Sequence, residues 1–210
     1  MIVKQDNEHS QIVLSKENIW QYFDTVILKL IDALLNPDMK VFINIGRFDI
    51  QKGHQRLIKA FKQVNLKYPN TLLVIIAPHG PLKEDTIRWV NEAEMNDSII
   101  ILGGMSNPYT LLKLSDAFVF SSLYEGLGLV VFEALAVGTD VITVDIPATT
   151  EGLKYGSADP DYLPALITEN SQRGLTEGWL RYMQGNIKYG QYDFDKGEQK
   201  SLEIWNLIVN

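Results

Sequence analysis

The feature that most constrains this chain is a repeated alternation of short apolar runs with helical stretches. Five such runs are found, at 41–46, 71–77, 98–102, 116–120 and 140–144. Because these runs are largely apolar rather than alternating, they indicate strands whose two sheet faces are both covered. Helical stretches and short connections between the runs predict right-handed crossovers. The sequence therefore predicts an α/β fold with a Rossmann-like, doubly wound parallel sheet.

The rest of the chain is assigned around this alternation. The connecting helices are predicted at 54–68, 82–95, 107–114 and 128–137. We expect a helical lead-in over 1–40 and one Rossmann-like domain over 41–210, closed by its C-terminal helices.

The flanks give weaker patterns. Ser15 is a candidate N-cap for a first helix that ends at Asn36-Pro37. After Thr150 the periodicity weakens, with a sixth strand expected near 163–167 and closing helices at 171–184 and 195–208. Late aromatic residues either stack on carbohydrate or, as we prefer, pin the closing helices to the core; they are Trp179, Tyr182, Tyr189, Tyr192, Phe194 and Trp205.

Composition excludes several classes of function. The 210 residues carry a net charge of −7, from 26 acidic and 19 basic side chains, which argues against a nucleic-acid partner. There is no cysteine, so a disulfide framework, a thiol nucleophile and a zinc–thiolate site are excluded. Three scattered histidines do not suggest a metal cluster. The first eight residues lack the apolar core of a signal peptide, so we expect a cytoplasmic protein.

Two loops at the carboxyl ends of predicted strands are candidate ligand sites, because open parallel sheets bind ligands there. The loop after the first strand, Gly46 to His54, delivers Arg47 and Lys52 to the start of a helix. Two cations beside a helix N-terminus suit a phosphate or diphosphate. The alternative is that both are surface cations paired with nearby acids.

The loop after the fourth strand leads into a helix with one anomalous residue. Gly126 and Gly128 flank Leu127 at the helix start, where backbone N–H groups are able to approach an anion closely. The helix that follows is apolar on every side except for Glu133, so it should be largely buried. An unpaired buried carboxylate is costly, so Glu133 either has a partner, such as a structural salt bridge, or faces a cleft.

Taken together, these residues carry a resemblance to a known family. The pairs Gly46-Arg47 and Lys52-Gly53, followed by Glu125 and Glu133, resemble the C-terminal, donor-binding half of retaining, family 4 type (group 1) glycosyltransferases of the GT-B fold. The resemblance covers about 41–153. The amino-acid sequence of the first strand and its loop is most similar to glycosyltransferase domains found with teichoic-acid-type polymer enzymes of Gram-positive bacteria.

The resemblance implies catalytic roles for three residues. Arg47 and Lys52 would hold the donor diphosphate and stabilise the charge that develops on the leaving group. Glu125 would accept hydrogen bonds from hydroxyls of the donor sugar. His54, beside Lys52, either faces the phosphates or is structural.

It also implies a substrate-binding set. Gly126, Leu127, Gly128 and Leu129 would offer backbone donors to the sugar and phosphates, and Glu133 would hydrogen-bond the ribose hydroxyls. The substrate would be a nucleoside-diphosphate sugar, the anomeric configuration would be retained, and no metal or other cofactor would be needed.

The same resemblance implies an incomplete enzyme. Such enzymes have a second, N-terminal Rossmann-like domain for the glycan or polymer acceptor, and about forty residues before the first strand are too few for one. We therefore expect a donor-binding half that is inactive alone and works in the cytoplasm, or at the inner membrane face through a full-length protein.

Other functions stay open. A non-catalytic nucleotide-sugar-binding or interaction module of the same fold is the main alternative. Epimerases and phosphorylases of this fold are also possible. A dinucleotide-binding domain is disfavoured because no G-x-G-x-x-G follows the first strand.

Overall fold

A computed structural model describes residues 16–159, 161–185 and 187–209, and in this part of the chain strands and helices alternate. The strands are β1 (Lys40–Ile45), β2 (Thr71–Ile76), β3 (Ile99–Leu102), β4 (Ala117–Phe120), β5 (Asp140–Val144) and β6 (Leu166–Thr168). The helices are α1 (Lys16–Leu35), α2 (His54–Lys67), α3 (Lys83–Glu92), α4 (Tyr109–Leu114), α5 (Leu129–Ala136), α6 (Pro147–Tyr155), α7 (Gln172–Met183) and α8 (Phe194–Val209). None of the described helices is long and apolar enough to cross a membrane.

The strands form one six-stranded sheet in the order β3-β2-β1-β4-β5-β6. Each neighbouring pair of strands is parallel. The predicted doubly wound α/β fold is confirmed. Successive strands are added on one side of β1 and then on the other, so the switch point lies between β1 and β4, where a crevice forms beyond the carboxyl ends of the strands.

The ladder between β1 and β4 is short. It pairs Phe42 with Ala117 and Ile43 with Phe118. Further along, the Asn44 side-chain amide donates a hydrogen bond to the Val119 carbonyl across 2.8 Å. A side chain thus continues the contact where the backbone ladder ends, next to the crevice.

The closing helix α7 is anchored by aromatic side chains. The fully buried Trp179 ring lies 4.8 Å from Phe42 and 5.3 Å from Phe61 between ring centroids. Tyr182 packs on Phe42 as well, and the Tyr192 ring lies 4.7 Å from Phe194. The structural interpretation is therefore supported for Trp179, Tyr182, Tyr192 and Phe194, whereas the side chain of Trp205 lies outside the described residues.

Three sequence expectations differ from the structure or lie outside it. The sixth strand begins three residues later than the expected segment and ends at Thr168. Helix α6 is missing from the sequence-based assignment, because it begins at Pro147 and buries only Thr149 and Leu153, which leaves little apolar periodicity. The candidate N-cap Ser15 lies outside the described residues.

Candidate functional site

A cavity of about 640 Å³ lies at the switch point, beyond the carboxyl ends of β1 and β4. It is lined by both loops that the sequence singled out, together with one turn of α5. The lining residues are Ile45, Gly46, Arg47, Lys52, Pro78, Glu125, Leu127, Gly128, Leu129, Val130 and Glu133. The structure thus brings together seven of the eight predicted site residues, and Gly126 is the one that does not line the cavity.

The loop after β1 is shaped by local hydrogen bonds and one buried ring. The Phe48 side chain is buried, and its backbone N–H donates to the His79 carbonyl across 2.9 Å. Asp49 then caps a single 3₁₀ turn by accepting a hydrogen bond from the Gln51 N–H. Because of this turn, Lys52 is directed into the cavity.

Lys52 and Glu125 form an ion pair inside the cavity. The distance between Lys52 Nζ and Glu125 Oε1 is 2.5 Å, and only 19% and 11% of the two side chains are exposed. Glu125 Oε1 also accepts a hydrogen bond from Ser122 Oγ, and Oε2 accepts one from Gln51 Nε2 at 3.0 Å. Three donors therefore hold this carboxylate in one orientation.

Arg47 differs from Lys52 because its charge is not neutralised locally. The residue is exposed, lines the same cavity and makes no ion pair within the described part of the chain. For Arg47, the alternative of a surface cation paired with an acid is not supported. For Lys52 the acid is Glu125, itself a predicted site residue.

Glu133 lies on α5 and faces the cavity. Its side chain is only partly buried, and its carboxylate has neither a cation nor a hydrogen-bond donor as a partner among the described residues. A structural salt bridge is therefore not supported. The prediction that α5 is largely buried is wrong, because 66% of Leu129 is exposed on the cavity side.

A glycine in a left-handed conformation starts α5. Gly128 has φ 73°, and a Cβ atom there would lie 2.9 Å from the Phe120 ring and 3.0 Å from Thr149 Oγ1. A larger residue at this position would be strained and crowded. The glycine therefore lets the start of α5 sit directly against β4, beside the cavity.

His54 does not face the cavity. Its ring is 2% exposed, lies 5.5 Å from the Phe48 ring and has no hydrogen-bond partner among the described residues. Burial, with a smaller contribution from the charge of Lys52, lowers its pKa to about 4. The alternative in which His54 faces the ligand is wrong, and the ring is a neutral packing element.

Sequence reasoning missed Gln51 and Ser122, which position Glu125. Each is polar and adjacent to a predicted site, but Gln51 and Glu125 are 74 residues apart in the chain. Their contact follows only from the adjacency of β1 and β4. Among the described residues, no group of three or more His, Asp or Glu side chains is arranged to hold a metal ion.

Comparison with known proteins gives a consistent family. A family model described as "Glycosyl transferases group 1" matches residues 29–183. An uncharacterized glycosyltransferase of Methanocaldococcus jannaschii is 45% identical over 108 residues, which are 51% of this chain and 26% of that protein. The alpha-monoglucosyldiacylglycerol synthase of Streptococcus pneumoniae is 32% identical over 156 residues, which are 73% of this chain and 29% of that protein. The chain thus spans about a quarter to a third of the length of these relatives.

Solved structures agree in fold. WaaG, a glycosyltransferase involved in lipopolysaccharide biosynthesis, matches with a TM-score of 0.60 and 19% identity over 83% of this chain and 43% of that chain. S. aureus TarM, solved with UDP among its ligands, matches with a TM-score of 0.64 and 19% identity over 82% of this chain and 36% of that chain. At this identity the likeness shows the fold alone, a Rossmann-like half-domain of the GT-B type.

Proposed function

The chain belongs to the group 1 family of glycosyl transferases, and from this we propose that it binds the nucleoside-diphosphate sugar from which a sugar is transferred. The observation that carries the proposal is the placement of two cations, Arg47 and Lys52, in one cavity at the switch point of the sheet. The cavity also holds two carboxylates, Glu125 and Glu133. Cations suit a diphosphate, and carboxylates suit sugar hydroxyls.

The two cations act on the leaving group. When the bond between the anomeric carbon and the diphosphate oxygen breaks, negative charge grows on the diphosphate. Arg47 is exposed and unpaired within the described residues, so it is free to meet that charge without first losing a partner. Lys52 exchanges its contact with Glu125 for the phosphate. Removing one donor of this kind typically lowers the rate by about 10²–10³.

The carboxylates hold the two sugars of the donor. Glu133 has no partner among the described residues and is assigned to the ribose hydroxyls. Glu125 is assigned to the hydroxyls of the transferred sugar, because Gln51 and Ser122 still fix its orientation when Lys52 turns to the phosphate. The backbone at Gly126–Leu129 supplies N–H donors. We assign no metal to the reaction, since the two cations can neutralise the diphosphate.

The proposal also covers the acceptor of the sugar and a second domain that would complete the cleft. A glycan or polymer of the cell surface is the favoured acceptor class; among the relatives is a lipopolysaccharide core biosynthesis glycosyltransferase of Rhizobium meliloti. These 210 residues correspond to the donor half of a family 4 type enzyme that retains configuration, and a second Rossmann-like domain completes it. Orientation accounts for roughly 7–11 kcal/mol of a barrier, so the half alone should not transfer sugar at a detectable rate.

The test is calorimetric titration of the purified chain with UDP, GDP, ADP and CDP in the presence of a chelator. Binding of at least one nucleotide, weakened more than tenfold by Arg47→Met, is expected. Arg173→Met is the matched control, since Arg173 is exposed on α7 and pairs with Glu177. No binding at millimolar concentration would overturn the proposal.

A second assay separates the donor half from the non-catalytic alternative. The chain is incubated with nucleotide sugars and acceptors, alone and together with an acceptor domain of a relative. Product only in the mixture supports the donor half. Robust transfer by the chain alone would mean that it holds a complete active site, and nucleotide binding without turnover in either sample would favour a binding module.

A further inference from the structure

Arg56 is a charged residue next to the cavity that does not line it. It lies in the first turn of α2, and its guanidinium donates from Nε to the Ser121 carbonyl at 2.8 Å and from Nη2 to the Ser122 carbonyl at 2.6 Å. Burial lowers its pKa. Among the described residues it has no carboxylate partner, so a cation is partly desolvated against two neutral carbonyls.

Those two carbonyls belong to the residues that fix the ion pair of the cavity. Ser121 Oγ donates to the Lys52 carbonyl at 2.8 Å, and Ser122 Oγ donates to Glu125 Oε1 at 2.9 Å. Arg56 therefore holds the backbone of the same two serines whose side chains hold the backbone of Lys52 and the carboxylate of Glu125.

The approach of the two loops depends on Gly53. This residue has φ 66°, and a Cβ atom there would lie 2.3 Å from the Ser121 carbonyl oxygen. The loops are also joined by one backbone hydrogen bond, from the Leu123 N–H to the Gln51 carbonyl at 2.7 Å. Several hydrogen bonds thus join the loop after β4 to the loop after β1 and the start of α2; Arg56 supplies two of them, and both go to the backbone of the loop after β4.

From this geometry we infer that Arg56 is a positioning residue that clamps the loop carrying Glu125 against the loop carrying Lys52. The inference rests on the proposed function for its effect on ligand binding, because a correctly placed Lys52 is what the diphosphate meets. The clamp itself is a property of the two loops and is measurable without a ligand.

Amide hydrogen exchange, followed by NMR, tests the clamp directly. In Arg56→Met, exchange at the Leu123 amide should be at least tenfold faster than in the wild type, while the amide of Val74 in β2 changes less than twofold. A merely structural role would instead speed both amides through global opening. Arg173→Met should change neither amide.

The conservative variant provides a rescue. In Arg56→Lys a single ammonium retains part of the carbonyl contact, so exchange at Leu123 should be about threefold faster than in the wild type. This variant decides the matter alone if Arg56→Met does not fold. Exchange at Leu123 within twofold of the wild type in every folded Arg56 variant overturns the inference.

Nucleotide titration tests the link to the cavity. Arg56→Met should weaken binding of the nucleotide that the wild type prefers by about tenfold. In a protein that already carries Lys52→Met, adding Arg56→Met should change the nucleotide affinity less than twofold, since Arg56 acts through Lys52. An undiminished tenfold loss in that background would overturn the inference. A wild type that binds no nucleotide would overturn the proposed function, and the Leu123 exchange would still decide the clamp.

Discussion

Two lysine–carboxylate pairs connect the β1 side of the sheet to the β4 side, one at each end of these strands, and they are built in opposite ways. At the amino ends, Lys40 Nζ lies 2.6 Å from Asp116 Oδ1, and 49% and 24% of the side chains are exposed. At the carboxyl ends, Lys52 and Glu125 lie 2.5 Å apart and are 19% and 11% exposed. The more buried pair lines the cavity.

The partners of the two carboxylates explain the difference. Asp116 Oδ2 accepts a hydrogen bond from the Val41 N–H, and the Asp116 N–H donates to the Val41 carbonyl, so Asp116 extends the strand ladder. Among the described residues, the donors to the Glu125 carboxylate are all side chains, those of Lys52, Ser122 and Gln51. One end of the sheet is fixed through the backbone. The other can exchange partners without unpairing a strand.

The largest expected effect is a loss of folding stability at low pH, and it arises beside the cavity, at the carboxyl ends of the strands. His54, beside the cavity loop, has a pKa lowered from 6.5 to about 4 by burial and by Lys52. Below pH 6.5 the unfolded chain binds a proton that the folded chain does not, so this part of the stability is present above pH 6.5 and is lost as pH falls toward 4. The loss is about 3 kcal/mol. Urea unfolding at pH 7, 5.5 and 4 measures it, and His54→Leu should lack it; equal pH dependence in both proteins would contradict the prediction.

The next effect should appear at the amino ends. Asp116→Ala removes the acceptor of the Val41 N–H and the partner of Lys40, so the free energy of unfolding should fall by about 2–3 kcal/mol. Nucleotide affinity should not change. Lys40→Met is the control, with a loss below about 1 kcal/mol because Lys40 is half exposed and Asp116 keeps its hydrogen bond from the Val41 N–H. A change in nucleotide affinity with Asp116→Ala would erase the distinction between the two ends.

Glu133→Gln should act on the ligand rather than on the fold. The carboxylate has no partner among the described residues, so the free energy of unfolding should change by less than about 0.5 kcal/mol. Loss of one charged hydrogen-bond acceptor for ribose should weaken nucleotide binding by roughly 1–2 kcal/mol. Calorimetry measures the nucleotide affinity, and urea unfolding of the same sample measures the stability. A loss of stability with unchanged affinity would identify a structural role for Glu133.

The smallest effect concerns Glu125. Glu125→Gln removes the charge that competes with a phosphate for Lys52, so a nucleoside diphosphate should bind up to about 1 kcal/mol more tightly. Gln keeps one oxygen, which can accept from Ser122 Oγ and Lys52 Nζ, but its NH2 group then faces the Gln51 Nε2 donor, so the free energy of unfolding should fall by about 1 kcal/mol. Weaker binding of the diphosphate, measured by titration with the same nucleotide, would mean that Glu125 orients Lys52 more than it competes for it.

Much of the fold was predictable because burial on both sheet faces leaves a clear pattern. The segment 140–144 was predicted with the bounds that the structure gives, and four further strands were predicted to within a residue or so at each end. Helix α6 was not predictable, since its exposed face and its Thr-rich sequence carry little apolar periodicity.

The site was predictable only where single residues are chemically unusual. Glu133 in an apolar helix and Arg47 with Lys52 after a strand give local signals. Arg56 and Gln51 give none, because their contacts with the loop after β4 span 66 and 74 residues of chain and exist only once β1 and β4 are neighbours. The burial of His54, whose ring lies against Phe48, is likewise not visible in the sequence.

The sheet order also fixes when the cavity is assembled during synthesis. β1 can pair with β2 as soon as residue 76 has left the ribosome, whereas its pairing with β4 must wait for residue 120. Until then the cavity has only one side, and Lys52 gains its counter-charge only with Glu125, in the loop that follows β4. Closing so long a loop is also slow compared with forming local contacts. Nucleotide binding by a nascent chain would therefore report the arrival of β4, a late event in the folding of this domain.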